Sequence, residues 1–139
     1  MKNKVEINWV EDMAFEALVN NHTITLDASE EVGGKNRGPR PKPLTLVSLA
    51  GCTGMDVVSM LKKMRVEYTG LTIEVEGELT EEHPKVYHTI TVHYRFRGID
   101  LPMEKLEKAV NLSQERYCGV TAMLGKAAKI VHQITVEDD

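Results

Sequence analysis

The stretch LTLVSLAGCTGMDVVSMLKKM, residues 44–64, decides how this chain reads. Apolar residues fall almost all round a helical wheel, interrupted by Ser48, Thr53, Asp56, Ser59, Lys62 and Lys63, which predicts a helix buried on most of its sides. The lysines collect at the C-terminal end, where they complement the helix dipole, and Pro43 is tolerated near the start. Gly51 and Gly54 flank Cys52, and the helix either bends there or breaks. A helix apolar on nearly every face needs more cover than one small sheet provides. The expected remedy is a homodimer in which two such helices pack together between two sheets.

Upstream, Val5, Ile7 and Trp9, then Phe15, Ala17 and Val19, then Ile24 and Leu26 alternate with polar residues, the period-two signal of half-buried strands. Asn20-Asn21 tolerates the positive φ of a tight turn, so the N-terminal part reads as an antiparallel meander. Residues 29–43, SEEVGGKNRGPRPKP, are too rich in Gly and Pro for a helix or sheet interior and read as a loop. Downstream, Leu71, Ile73 and Val75, then Ile90, Val92, Tyr94 and Phe96, mark two more strands with one buried and one wet face. Pro102 opens an amphipathic helix, Tyr117-Cys118-Gly119 interrupts it, a short helix runs to about Gly125, and Ile130 to Val136 form a last strand. The order β-β-β-α-β-β-α-α-β segregates strands from helices and predicts an α+β fold in a single domain, residues 1–139.

Composition narrows the function classes. A formal charge of −4, with Lys and Arg scattered in small groups, argues against nucleic acid as the main partner. No segment reads as both long and uncharged enough to span a bilayer, and the N-terminus lacks a secretory pattern, so a cytoplasmic location without a membrane partner is expected. In a reducing compartment two cysteines 66 residues apart are either buried filler or redox chemistry.

The segment GPRPKPLTLVSLAGCTGMDVVSMLKK resembles the signature of the OsmC/Ohr (organic hydroperoxide resistance) family, and SQERYCGVTAML resembles that family's second cysteine at the start of a short helix. CTGMDVV with LKK is closest in character to the OsmC-like branch. The resemblance implies an OsmC-like α+β fold, antiparallel sheets around a buried central helix in an intertwined homodimer. It also implies a thiol peroxide-handling, peroxiredoxin-like role in the oxidative stress response. In that role Cys52 attacks a hydroperoxide as a thiolate, becomes a sulfenic acid and condenses with the resolving Cys118. Electrons would then come from a dithiol of the lipoyl or thioredoxin type.

A helix N-terminus at Cys118-Gly119 lowers a thiol pKa, whereas desolvation inside an apolar helix raises that of Cys52, which therefore calls for a cation. In characterised members an arginine of the N-terminal hairpin supplies it, held by the glutamate of a Pro-Glu pair whose proline stands eleven residues before the cysteine. Here Pro41 falls on the proline and Lys42 on the glutamate, and residues 1–28 hold no Arg. Arg37 and Arg40 are the replacement guanidinium candidates, and Asp56, four residues after Cys52 on the same helical face, is the candidate anchor for one of them.

Histidines 22, 83, 88, 93 and 132 form no short ligand pair, so neither a metal nor a cofactor is expected. Gly51-Cys52-Thr53-Gly54 echoes the GxxG loop of KH domains without their basic cluster, and Gly33-Gly34-Lys35 lacks the hydroxyl residue of a phosphate loop. A second function class stays open beside the redox reading. It is a non-catalytic module that holds a small apolar ligand in the cleft around Cys52 while both thiols stay reduced.

Overall fold

A computed structural model describes residues 1–138, and the chain falls into two compact units, residues 1–45 and residues 46 onward. In the first, β1 (Glu6–Glu11), β2 (Ala14–Val19) and β3 (His22–Leu26) make the expected antiparallel meander. The turns take positive φ at Asp12, Asn20 and Asn21, which short polar side chains tolerate. The register sets Ile7 opposite Ala17 and Ala17 opposite Ile24, so the apolar residues do form a cross-strand ladder. The half-burial expected of them is met at Ala17, Val19 and Leu26 and fails in β1 and at Phe15 and Ile24. Ile7 is 49% exposed and Trp9 64%, and every residue of β1 is open to solvent in the single chain.

The loop after β3 is built around one carboxylate. Asp27, buried in spite of its charge, accepts the backbone N–H groups of Ala28 (2.7 Å), Lys35 (3.2 Å) and Arg37 (3.2 Å). A 3₁₀ turn at Glu30–Val32 folds the loop back. Gly34 and Gly38 press on the backbone so closely that a Cβ would collide with the carbonyls of Ala28 and Thr25. Burial pushes the Asp27 carboxyl up, but the N–H groups of Ala28, Arg37 and Lys35 and the charge of Arg37 outweigh it and hold the pKa below the ordinary value of 3.8. A depressed pKa contributes stability above the unfolded value and loses it as pH falls through the folded one. Titration of the Asp27 carboxyl by NMR should therefore give a midpoint below 3.8, with the Lys35 and Arg37 amides losing hydrogen-exchange protection only below that midpoint. A midpoint above it would contradict the loop's design.

Helix α1 spans Pro41–Lys63, starting three residues before the expected Leu44. Pro41 and Pro43 fit its first turn, whose N–H groups have no acceptor within the helix. The helix is unbroken through Gly51 and Gly54. Its burial is narrower than its composition suggests: Leu49, Thr53, Val57 and Leu61, four residues apart, form one buried stripe, while Val47 (62%), Met55 (77%) and Val58 (43%) are exposed. By length and composition alone α1 could cross a membrane, contrary to the expectation from sequence. Leu49, Val57 and Leu61 of its buried stripe pack into the core of the second unit.

In the second unit β4 (Gly70–Leu79) pairs antiparallel with β5 (Tyr87–Arg97), and β6 (Lys129–Glu137) lies on the other side of β5. The pairing of β5 with β6 is parallel, so this sheet is mixed and not wholly antiparallel as expected. The reason is the connection. Helix α2 (Met103–Leu112), a π-helical turn (Ser113–Tyr117) and α3 (Gly119–Leu124) form a crossover that returns the chain in the direction in which it left. The α1 stripe joins Ile90, Val92, Tyr94 and Phe96 of β5 and Leu106, Ala109 and Val110 of α2 in one core.

Candidate active site

Cys52 sits in the middle of α1, partly buried. Cys118 is buried at the foot of α3, where the chain leaves the π-helical turn in an extended conformation and caps the new helix. Its Sγ accepts the backbone N–H of Thr121 at 3.3 Å, the place the sequence foresaw for it. Both thiols are free. They are close neighbours in space although remote in sequence. With an Asp56 carboxylate oxygen they form a trio whose three atoms all lie within 4.8 Å of one another.

Burial pushes the Cys52 thiol above its ordinary range; the hydrogen bond and charge of Cys118 and the carboxylate of Asp56 push the same way, and the Val120 N–H pulls back. The arginine expected to anchor on Asp56 is not what its carboxylate meets. Ser113 Oγ donates to Asp56 Oδ2 at 2.9 Å, and among the described residues Asp56 makes no ion pair. Arg37 bonds Asp12 (2.9 Å) and lies 3.6 Å from Glu11 and 3.9 Å from Asp27, and Arg40 holds the Gly38 carbonyl and the Asn36 side chain, both at 2.8 Å. Their guanidinium partners thus all lie in the first unit, whereas the partners of Cys52, Cys118 and Asp56 lie in the second.

Reading from the sequence missed a buried polar chain behind the trio. Thr53 Oγ1 is 2.6 Å from Tyr94 OH and 2.7 Å from Ser113 Oγ, and Gln114 Nε2 donates to Tyr94 OH at 2.6 Å. Each hydroxyl has one proton, so its direction can be worked out. Ser113 spends its proton on Asp56, Thr53 must then donate to Ser113, and Tyr94 must donate to Thr53. The chain runs one way, from Gln114 through Tyr94, Thr53 and Ser113, and ends on the Asp56 carboxylate. Burial raises the pKa of Tyr94, which keeps it a phenol able to donate. One signal was legible: Thr53 is a polar residue on the apolar i, i+4 stripe, next to Cys52.

The hydrogen bonds of His88, His93 and His132 do not reach the trio, although the His132 ring stands edge-on to that of Tyr94, centroids 6.5 Å apart. His93 bonds Thr135, His132 bonds Asn111 and His88 bonds Thr89. Among the described residues the trio Cys52, Asp56 and Cys118 is the one convergence of metal-capable side chains. A groove of about 590 Å³ runs beside it, lined by Met55, Met60, Met64, Leu112 and Tyr117, with Asp56, Ser59 and Lys63 as its polar residues.

Two cysteines brought together from α1 and the start of α3, on two small sheets and three helices, define the class of protein. The family model for OsmC-like proteins matches residues 33–133, and the chain belongs to that family. It is 32% identical to Protein YhfA of Escherichia coli strain K12 over 96% of this chain and 97% of that one. A crystal structure of a protein from Aquifex aeolicus VF5 superposes with a TM-score of 0.83 at 33% identity, covering 99% of this chain and 98% of the other. The organic hydroperoxide resistance protein OhrB of Bacillus subtilis shares the fold at a TM-score of 0.67 and 16% identity, over 97% of this chain and 98% of its own.

Proposed function

We propose that this protein is a thiol-dependent peroxide-handling protein that reduces organic hydroperoxides or peroxide, with Cys52 attacking and Cys118 resolving. The observation that carries the reading is the meeting of the two free thiols, remote in sequence, beside one carboxylate. The Cys52 thiolate attacks the hydroperoxide O–O bond, giving a sulfenic acid and, once a proton is supplied, the alcohol. The Cys118 thiol then condenses with the sulfenic acid, forming the S–S bond and releasing water. In this reading Asp56 takes the Cys52 proton and returns it to the leaving alkoxide, a role supported by its orientation through Ser113. Relatives bearing the name organic hydroperoxide resistance protein support the substrate class. A dithiol of the lipoyl or thioredoxin type would regenerate the thiols, in a reducing, cytoplasmic setting that keeps both cysteines free.

The test is stoichiometric. One equivalent of cumene hydroperoxide added to the reduced protein should consume two thiols per chain, and Cys118→Ser should accumulate a trappable sulfenic acid at Cys52. Thiols that persist for hours would end this reading. They would leave the alternative, a non-catalytic module holding an apolar ligand. That alternative draws on the methionine-lined groove, which reaches Asp56 but does not include Cys52 in its lining.

The working form is a homodimer. Val47, Met55 and Val58 on α1 leave an apolar face uncovered in the single chain, as do Ile7 and Trp9 on β1, and exposed apolar surface of this kind marks association. Light scattering should give twice the chain mass of 15.6 kDa; the mass of one chain would refute the dimer.

A further inference from the structure

The trio carries a chemistry that the peroxide reading does not use. We infer that Cys52, Cys118 and Asp56 form a three-ligand site for a thiophilic divalent cation, with Zn²⁺ as the type, leaving a fourth position open.

The donor set is the first argument. Two cysteine sulfurs and one carboxylate oxygen suit Zn²⁺, which binds sulfur at about 2.3 Å and oxygen at about 2.0–2.2 Å. Around a tetrahedral ion such atoms stand roughly 3.5–3.8 Å apart, and here all three lie within 4.8 Å of one another. Small side-chain rotations close that gap. Two thiolates and a carboxylate against a divalent ion leave a net charge that a neutral fourth ligand, such as water, does not increase.

The second argument is the outer shell, which holds two of the three ligands by hydrogen bonds. Thr121 N–H donates to the Cys118 sulfur and Ser113 Oγ to Asp56 Oδ2. Hydrogen bonds of this kind orient metal ligands. The Ser113 bond is the end of the chain from Gln114, so Asp56 is oriented from deep in the core. Thr121 Oγ1, on the same turn as Cys118, is buried with no hydrogen-bond partner among the described residues. It leaves one buried hydroxyl near this turn in need of a polar group.

Occupancy and peroxide chemistry would then compete for the same sulfur lone pairs. Where the redox reading also holds, the bound thiolates, a hydroperoxide and two protons yield the disulfide, the alcohol, water and the freed cation. Oxidation therefore ejects the ion, and the ion slows oxidation. Binding itself does not depend on the peroxide reading.

The test uses reduced full-length protein under anaerobic conditions, with Co²⁺ as the probe and Zn²⁺ as competitor. The expected result is a sulfur-to-cobalt charge-transfer band saturating at one ion per chain and removed by Zn²⁺. Cys52→Ser and Cys118→Ser should each remove the band, and Asp56→Asn should weaken binding by at least about tenfold. Should the serine variants fail to fold, wild-type protein alone decides: Zn²⁺ should slow alkylation of both thiols by iodoacetamide at least about tenfold. Absence of the band, a band unchanged in Cys118→Ser, or alkylation indifferent to Zn²⁺ would each overturn the site. Thiols inert to hydroperoxide alongside an intact cobalt band would reject the peroxidase reading and leave the metal site standing.

Discussion

Thr53→Val should lower the free energy of unfolding by about 2–4 kcal/mol, read from urea midpoints with an unchanged slope. Valine keeps nearly the shape of threonine but can neither accept from Tyr94 nor donate to Ser113. Thr53, Tyr94 and Ser113 are all fully buried, so water does not readily replace the lost partner. Leaving a buried donor or acceptor unsatisfied costs about 1–3 kcal/mol, and two hydroxyls lose one partner each: Tyr94 keeps Gln114 and Ser113 keeps Asp56. The double variant Thr53→Val with Tyr94→Phe should cost less than the sum of the single ones, because it removes the phenol proton that has lost its acceptor. A loss under about 0.5 kcal/mol in Thr53→Val, the scale of a surface change, would mean that the chain is not the one-way network deduced from its geometry. The same substitution frees the acceptor side of Ser113, so Asp56 loses its support from the core while keeping its nearest donor.

The second large effect falls on chemistry. Cys52→Ser should reduce hydroperoxide turnover with a dithiol reductant by at least ~10³-fold, since a serine hydroxyl ionises far less readily than a thiol and attacks an O–O bond poorly. Cys118→Ser should behave differently. It keeps the first attack and loses the second, so one equivalent of hydroperoxide is still consumed per chain and the product is a stable sulfenic acid in place of a disulfide. Competition kinetics with cumene hydroperoxide separates the two. Equal losses in both variants would reverse or erase the assigned roles, and turnover retained in Cys52→Ser would place the reactive sulfur elsewhere.

The raised thiol pKa of Cys52 bears on how the site is built. Its causes are burial, Cys118 and Asp56, and no guanidinium bonds Asp56 among the described residues. What the second unit sets beside the thiols is a carboxylate oriented by Ser113 and a backbone N–H of Thr121 donated to the Cys118 sulfur.

Much of the fold was legible in the sequence because its signals are local. Alternation in Val5–Trp9 and Ile90–Phe96, the Gly- and Pro-rich loop, and the apolar run after Pro43 give the element order correctly, since strand and helix periods depend on neighbouring residues only. Cys118 at a helix start was legible for the same reason, with Gly119 following it. Burial was less so. The composition of α1 says that the helix is apolar on most faces, but only packing decides that the stripe Leu49–Thr53–Val57–Leu61 is inside and Met55 outside. The parallel pairing of β6 was equally hidden, because it follows from the path of a crossover and not from the strand's own pattern.

The candidate site divides in the same way. By itself the sequence determined which sulfurs exist, that one lies on an apolar helix and the other opens a helix, and that Asp56 shares a face with Cys52, all consequences of spacing along one element. Only the tertiary structure decided that Cys52 and Cys118, 66 residues apart, meet beside one carboxylate, and that Asp56 answers to Ser113. It alone also joins Tyr94, Thr53, Ser113 and Gln114 in a chain ending on that carboxylate. These are contacts between α1, β5 and the turn before α3, and no periodicity within one segment encodes the distance between segments. The physical reason is that a buried hydroxyl takes whichever partner the packing of the core brings within reach.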